Sequence, residues 1–140
     1  MLYGDTSVLV ALCTHEAQTT QVHKWYAACT DDIASAAWSV TEFASALGIK
    51  QRTGQLTPVQ AQTAWSQFER ICANDLQLLP VEPGHFHQAA TLCKDASAAL
   101  GAGDALHLAC AIEARAKGLI TLDSVMAKNA KRLKLKTVTL

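Results

Sequence analysis

Short, unbroken apolar runs alternate along this chain with longer stretches in which apolar side chains recur every third or fourth position. The first pattern is expected of buried strands and the second of amphipathic helices. The opening run, Met1 to Gly4, closes at Asp5. Thr6 or Ser7 is placed to cap a short helix carrying Val8, Leu9 and Leu12, and Val22, Trp25, Tyr26 and Cys29 share one face of a second helix. Asp31-Asp32 predicts a polar turn and Ile33 to Trp38 a second buried strand. Ser39-Val-Thr-Glu42 then opens a helix that continues through Phe43, Ala46, Leu47 and Ile49 and stops at Gly54. Thr57-Pro58 is a cap followed by a first-turn proline, with Ala61, Ala64, Trp65, Phe68, Ile71 and Cys72 at helical spacing behind it. Leu76 to Val81 predicts a third strand, and Pro83-Gly84 the start of a helix through Phe86, Ala89, Ala90, Cys93 and Ala96. Gly101-Ala-Gly103 predicts a flexible approach to Asp104, followed by a helix from Ala105 to about Ala116. Leu119 to Asp123 is then a strand, Ser124 to Leu133 a basic helix, and Thr137 to Leu140 a final strand.

Strands alternating with helices predict right-handed crossovers and a mostly parallel sheet, an α/β protein. That topology matters most for four carboxylates. Asp5 and Asp123 each close a strand, so they should be neighbours at one rim of the sheet. Glu42 opens a helix after a strand, and Asp104 stands behind two glycines. If both join that rim, like charges a few Å apart repel by roughly 4 kcal/mol per close pair at an effective dielectric near 20, a cost that a divalent cation offsets. The expectation is an all-oxygen Mg²⁺ or Mn²⁺ site. Taken singly, each residue has a plainer account: Asp is a favoured helix N-cap, and Ser39-x-x-Glu42 fits a capping box. The combination, placed where ligands collect in open α/β sheets, favours the shared site.

Length and composition narrow the rest. The 140 residues fit a single domain, residues 1–140, with half the residues apolar, 17% charged and no low-complexity tract, which argues against disorder. The five cysteines (Cys13, Cys29, Cys72, Cys93 and Cys110) form an odd set with no C-x-x-C pair, neither a disulfide framework nor a zinc motif, and read as small core residues in a reducing cytosol. His85 and His87 point to different sides of a helix, and His15 and His23 have no matching partner, so zinc is not expected. The run from Val8 to Cys13 is too short for a signal sequence or a bilayer span, so a cytoplasmic protein without membrane attachment is expected. Net charge is zero, yet seven of the twelve basic residues lie in the last 26 positions, from Arg115 and Lys117 to Lys136. Alternating with Ala, Leu and Val, they read first as a solvated helix and strand; beside a carboxylate site they could also draw in a polyanion. His107, one helical turn after Asp104, reads first as a locally hydrogen-bonded packing residue and second as a ligand or proton shuttle. The aromatic residues Trp25, Tyr26, Trp38, Trp65 and Phe68 fall on apolar faces, where core or dimer packing is the plainer account than base stacking.

Along the whole chain these residues resemble a PIN-domain ribonuclease, specifically a VapC-type toxin of a bacterial or archaeal toxin–antitoxin pair. Asp5-Thr-Ser-Val-Leu-Val is similar to the family's opening strand end, Thr41-Glu42-Phe-Ala-Ser-Ala-Leu to its acidic helix, Gly103-Asp-Ala-Leu-His-Leu-Ala109 to its third motif and Thr121-Leu-Asp123 to its fourth. The resemblance implies a three-layer α/β/α sandwich, with Asp5 and Asp104 as the principal metal ligands and Glu42 and Asp123 completing the pocket directly or through water. It also implies Ser7 and Thr6 as residues that orient this shell. The activity it implies is Mg²⁺- or Mn²⁺-dependent hydrolysis of phosphodiester bonds in a structured RNA, tRNA or rRNA. The implied partners are a second copy of the chain and a cognate VapB-type antitoxin whose C-terminal tail enters the groove. The chain departs from the pattern at Gly4, where a bulky apolar residue is common, and at Gly101, near a position where a basic residue is frequent.

Two other classes compete. A Mg²⁺-dependent phosphotransferase or phosphatase also uses an Asp at the end of its first strand, but a dehalogenase-like phosphatase wants a second Asp where Ser7 stands, and a receiver domain wants an acidic neighbour of Asp5 and a late Lys. A non-cleaving PIN-like module that binds RNA or protein has no reason to tolerate four close carboxylates.

Overall fold

The computed structural model describes residues 1–140. Four short strands, β1 (Leu2–Gly4), β2 (Ile33–Ala36), β3 (Leu76–Leu79) and β4 (Gly118–Ile120), form one sheet in the order β3-β2-β1-β4, with every pairing parallel. Their apolar composition follows from that arrangement, because a parallel sheet is covered on both faces. Side chains alternate between the two faces. Leu2 and Ile120 enter a cluster with Val8, Phe43 and Phe68, whereas Tyr3 and Leu119 enter the opposite one with Leu108, Met126 and Ala130.

The first cluster is covered by α1 (Thr6–Cys13), α2 (Thr19–Ala28), α3 (Trp38–Arg52) and α4 (Pro58–Asn74). The second is covered by α6 (Ala102–Glu113) and α7 (Ser124–Arg132), and α5 (Pro83–Lys94) packs on α6 through Ala89, Ala105, Leu106 and Ala109. The expected three-layer α/β/α sandwich is therefore present. Its helix boundaries have local causes: Thr57 and Gln60 form a reciprocal capping box at α4 with Pro58 in the first turn, and Gly54 takes a positive φ of 75° just past the end of α3. No helix is long and apolar enough to cross a membrane.

Strand order decides where a site can form. From β1 the chain steps outward to β2 and β3, then crosses back to place β4 on the other side of β1. The connections leaving β1 and β4 turn to opposite faces, α1 to one and α7 to the other, which opens a crevice at the carboxyl ends of these two strands.

Several boundaries differ from the sequence reading: the third strand stops at Leu79 and not Val81, the fourth stops at Ile120, short of Asp123, and α5 stops at Lys94, short of Ala96. Asp5 itself, rather than Thr6 or Ser7, caps α1. The second strand stops at Ala36, and α3 begins at Trp38, so Ser39 is already helical. Helix α6 begins at Ala102, so Gly103 and Asp104 lie within its first turn and not in a flexible approach. The last strand is reduced to a single parallel bridge between Thr137 and Leu119. With no neighbour on its outer side, that segment has only β4 to pair with.

Candidate active site at the carboxyl edge of the sheet

Asp5 sits at the mouth of the crevice, 3% exposed, with both carboxylate oxygens held. Oδ1 accepts from the Ser7 hydroxyl at 2.6 Å and the Val8 N–H at 3.4 Å; Oδ2 accepts from the Thr121 hydroxyl at 2.7 Å. Ser7 in turn accepts the Leu122 N–H, and Thr121 accepts the Asp123 N–H. The ends of β1 and β4 are thus laced together by hydroxyl groups. Burial pushes the Asp5 carboxyl up, and the bonds from Ser7 and Thr121 offset part of that effect. Asp123 caps α7 through the Met126 N–H at 2.7 Å. For Asp5 and Asp123, capping and membership of the crevice are therefore compatible, since each uses one oxygen on the helix.

Glu42 reaches the crevice from α3. The capping box suggested by Ser39 and Glu42 does not form: Ser39 hydrogen-bonds to Ser35 at 2.6 Å, which frees Glu42 for other partners. Its Oε1 accepts from Thr6 Oγ1 at 2.6 Å and contacts His107 Nε2 at 2.5 Å. Burial raises the Glu42 carboxyl, but the bonds from His107 and Thr6 outweigh it and hold the group below the ordinary carboxylate range. The buried Trp38 Nε1–H adds a weaker pull in the same direction, although no acceptor lies at hydrogen-bonding geometry from it.

Asp104 completes the group from the first turn of α6, where the helix dipole favours negative charge. Its carboxyl is nevertheless pushed up, first by burial and then by the like charges of Asp123, Asp5 and Glu42. The structure thus brings Asp104 within electrostatic reach of the other three carboxylates. Gly103 is the device that lets α6 approach: a Cβ there would stand 2.8 Å from Glu42 Oε2 and 3.5 Å from Trp38 Nε1. Because Glu42 is pinned at Oε1, a Gly103→Ala variant should fold, with a melting temperature within about 4 °C of the unmodified protein, yet displace Glu42. Any RNA cleavage is then expected to fall about tenfold, the scale of a disturbed supporting contact, checked by single-turnover assay beside a thermal melt.

The donor set is entirely oxygen, which suits a hard divalent cation. No three His, Cys, Asp or Glu side chains close on a common point. The like charges that push Asp104 up are offset in part by His107, and a cation would offset them further. Arg115, Lys117, Lys136 and Arg132 do not supply that positive charge. Arg115 and Lys117 precede β4, where the Lys117 N–H donates to the Met1 carbonyl and its ammonium pairs with Asp31 at 3.0 Å, and Lys136 precedes the bridge to Leu119. All three lie at the amino edge, opposite the carboxylates, while Arg132 is tied to Asp95 at 2.8 Å. The expected basic field beside the site is therefore not formed by these residues, because a charge run in sequence carries no information about which sheet edge it reaches.

A groove of about 540 Å³ leads away from Glu42 between α1 and α3, past Thr6, Ser7, Glu16, Trp38, Thr41 and Ile49. Sequence reasoning did not single out Tyr3 or Trp38 as part of this site. For Tyr3 a signal existed: a phenol in a fully buried strand needs a partner for its hydroxyl.

A family model described as PIN domain matches residues 2–132. No curated protein matches the chain in sequence. Among solved structures, VapC20 of Mycobacterium tuberculosis, described as a sarcin-ricin loop cleaving toxin, is similar at a TM-score of 0.74 and 13% identity, over 92% of this chain and 95% of that one. FitAcB of Neisseria gonorrhoeae is similar at 0.74 and 16% identity, over 99% and 97%. VapBC2 of Rickettsia felis, bound to a DNA fragment from its promoter, is similar at 0.63 and 15% identity, over 99% and 98%. At such identities the likeness is one of fold.

Proposed function

Because the chain belongs to the PIN domain family, we propose that it is a metal-dependent endoribonuclease acting as the toxin of a toxin–antitoxin pair, with a structured cellular RNA, tRNA or rRNA, as substrate. The observation that supports this reading is the gathering of Asp5, Glu42, Asp104 and Asp123 at the crevice between β1 and β4, where Asp104 feels the like charges of the other three. Asp5 and Asp104 would hold a Mg²⁺ or Mn²⁺ ion, with Glu42 and Asp123 completing the pocket directly or through water. Bound there, the ion supplies Lewis acidity toward water and neutralises charge developing on the scissile phosphate.

The chain's own residues do the rest. Ser7 and Thr121 keep the Asp5 carboxylate in one orientation, so its remaining lone pairs point in a fixed direction. Thr6 and His107 hold Glu42 as an anion beside the first turn of α6. The groove ending at Glu42 suits the tail of a VapB-type antitoxin that carries a cationic side chain to the carboxylates. A homodimeric toxin is the remaining part of the proposal, and it rests on the family alone.

The test is to incubate partner-free protein with total cellular RNA and Mg²⁺ or Mn²⁺, beside an EDTA control. Discrete cuts that require the metal are the expected result. Folded protein that binds the metal and leaves all RNA intact would sink the nuclease reading.

A further inference from the structure

His107 lies one turn below Asp104 on the same face of α6 and is 1% exposed. Its two ring nitrogens have different partners: Nδ1 is 2.8 Å from the Tyr3 hydroxyl and Nε2 is 2.5 Å from Glu42 Oε1. Tyr3 is itself fully buried, and its hydroxyl accepts the Ala36 N–H of β2 at 3.1 Å. The Glu42 carboxylate on Nε2 can only accept, so a neutral ring carries its hydrogen on Nε2 and Nδ1 accepts the phenolic proton. This tautomer is assigned from the bonding pattern. The hydrogen bonds run with one polarity from the backbone of the sheet, through a phenol and an imidazole, to a carboxylate.

A second arm holds the same oxygen. Thr6 Oγ1 lies 2.6 Å from Glu42 Oε1 and 3.3 Å from Ser39 Oγ, which is 2.6 Å from Ser35 Oγ on β2. Both arms end on β2, and both converge on Oε1. The other oxygen, Oε2, is left against Gly103 with no donor bonded to it. A side chain needed only for packing would not require two polar arms in the interior, where each unsatisfied member is costly. Buried networks of this kind specify one geometry.

We propose that Tyr3 and His107 are positioning residues of the nuclease: the Tyr3 hydroxyl, anchored on the Ala36 backbone, fixes the His107 imidazole as the Nε2–H tautomer, and the imidazole fixes Glu42 so that Oε2 faces the first turn of α6. The inference deepens the nuclease reading and depends on it for its kinetic test. Neither residue touches substrate. They act through Glu42, as outer residues act through the ligands they orient.

The experiment compares Tyr3→Phe, His107→Gln and His107→Leu with the unmodified protein, and includes nitrogen-detected NMR of the histidine rings in metal-free protein. Tyr3→Phe keeps the ring and its packing and removes only the hydroxyl. Its kcat for RNA cleavage is expected to fall roughly 10- to 100-fold with KM within about twofold. His107→Gln places an amide N–H near the position of Nε2 and is expected to retain more turnover than His107→Leu. The His107 ring of the unmodified protein should report a single Nε2–H tautomer, and Tyr3→Phe should mix the two tautomers. Unchanged kcat in Tyr3→Phe, a loss confined to KM, or Gln no better than Leu overturns the proposal. If the unmodified protein cuts no RNA, the nuclease reading fails and the tautomer decides the positioning claim alone: an Nδ1–H ring refutes it.

Discussion

Replacing Asp104 by Asn should lower metal-dependent RNA cleavage by roughly a thousandfold, which corresponds to about 4 kcal/mol of transition-state stabilisation, the several kcal/mol that a correctly held cation supplies. Asn keeps the shape and the place in the first turn of α6 but not the charge, so the fold should persist. The same variant has a second, opposite readout. The Asp104 carboxyl is pushed up by burial and then by Asp123, Asp5 and Glu42. The folded protein therefore keeps this proton to a higher pH than the unfolded chain, whose Asp titrates near pH 3.9. Stability from the protonated form is complete below about pH 3.9 and is lost as pH rises through the raised folded value. At neutral pH the metal-free protein bears the repulsion in full. In EDTA at pH 7, Asp104→Asn should accordingly melt roughly 2–5 °C higher than the unmodified protein, a gap that closes as the pH is brought down through that window. Mn²⁺ at a hundredfold excess over its Kd should stabilise the unmodified protein by about 2.7 kcal/mol and leave the variant nearly unmoved. A variant that still cuts at a tenth of the normal rate, or one that melts lower in EDTA, would contradict the assignment of Asp104 to the centre of the pocket.

The largest effect on stability is expected from Phe68→Ala. Phe68 is 1% exposed and stacks on Phe43 with ring centroids 4.2 Å apart and planes 9° from parallel, while Trp65 packs at 5.5 Å. Removing that ring forfeits its burial and leaves a void, a loss of about 3–5 kcal/mol. Set against a total of roughly 5–15 kcal/mol, it brings the domain close to unfolding at body temperature. The expected fall in melting temperature is about 10–20 °C. The site is coupled to the same stack, because Phe43 follows Glu42 on α3. A loosened α3 reduces turnover even at temperatures where the variant remains folded. Urea unfolding checks the first effect; a loss below about 1.5 kcal/mol would mean that the neighbouring rings collapse into the gap.

The legible parts of this molecule were those whose cause lies within a few residues. Thr57-Pro58-Val-Gln60 announces a helix start because cap, proline and reciprocal partner are adjacent in sequence, and the structure forms that box. Asp5 directly follows its strand, as the apolar run it terminates implies; Asp123 does not, because β4 stops at Ile120 and Asp123 is the cap of α7. Where the sequence misled, a distant group had decided the outcome. Gly101-Ala-Gly103 carries a loop signal, yet Gly103 is helical, and its missing side chain makes room for Glu42, 61 positions earlier in the chain (103 − 42). Ser39-x-x-Glu42 carries a capping signal, yet Ser35 takes the Ser39 hydroxyl and Thr6 takes the glutamate. His107 and Tyr3 are 104 residues apart and meet only once the sheet is assembled. Arg115, Lys117 and Lys136 carry their charge in the sequence but not the edge of the sheet they reach.

The crossover that places β4 beside β1 also sets a timetable for biosynthesis. Asp5 and Thr121, which close the crevice between them, are 116 residues apart. At about 5–20 residues per second of translation, roughly 6 to 23 s separate their emergence from the ribosome. Throughout that interval β1 can pair only with β2, and the nascent chain carries Asp5 and Glu42 with no opposite wall to gather them against. The carboxylate pocket is thus among the last features of the fold to exist, and an interrupted message yields a fragment without it.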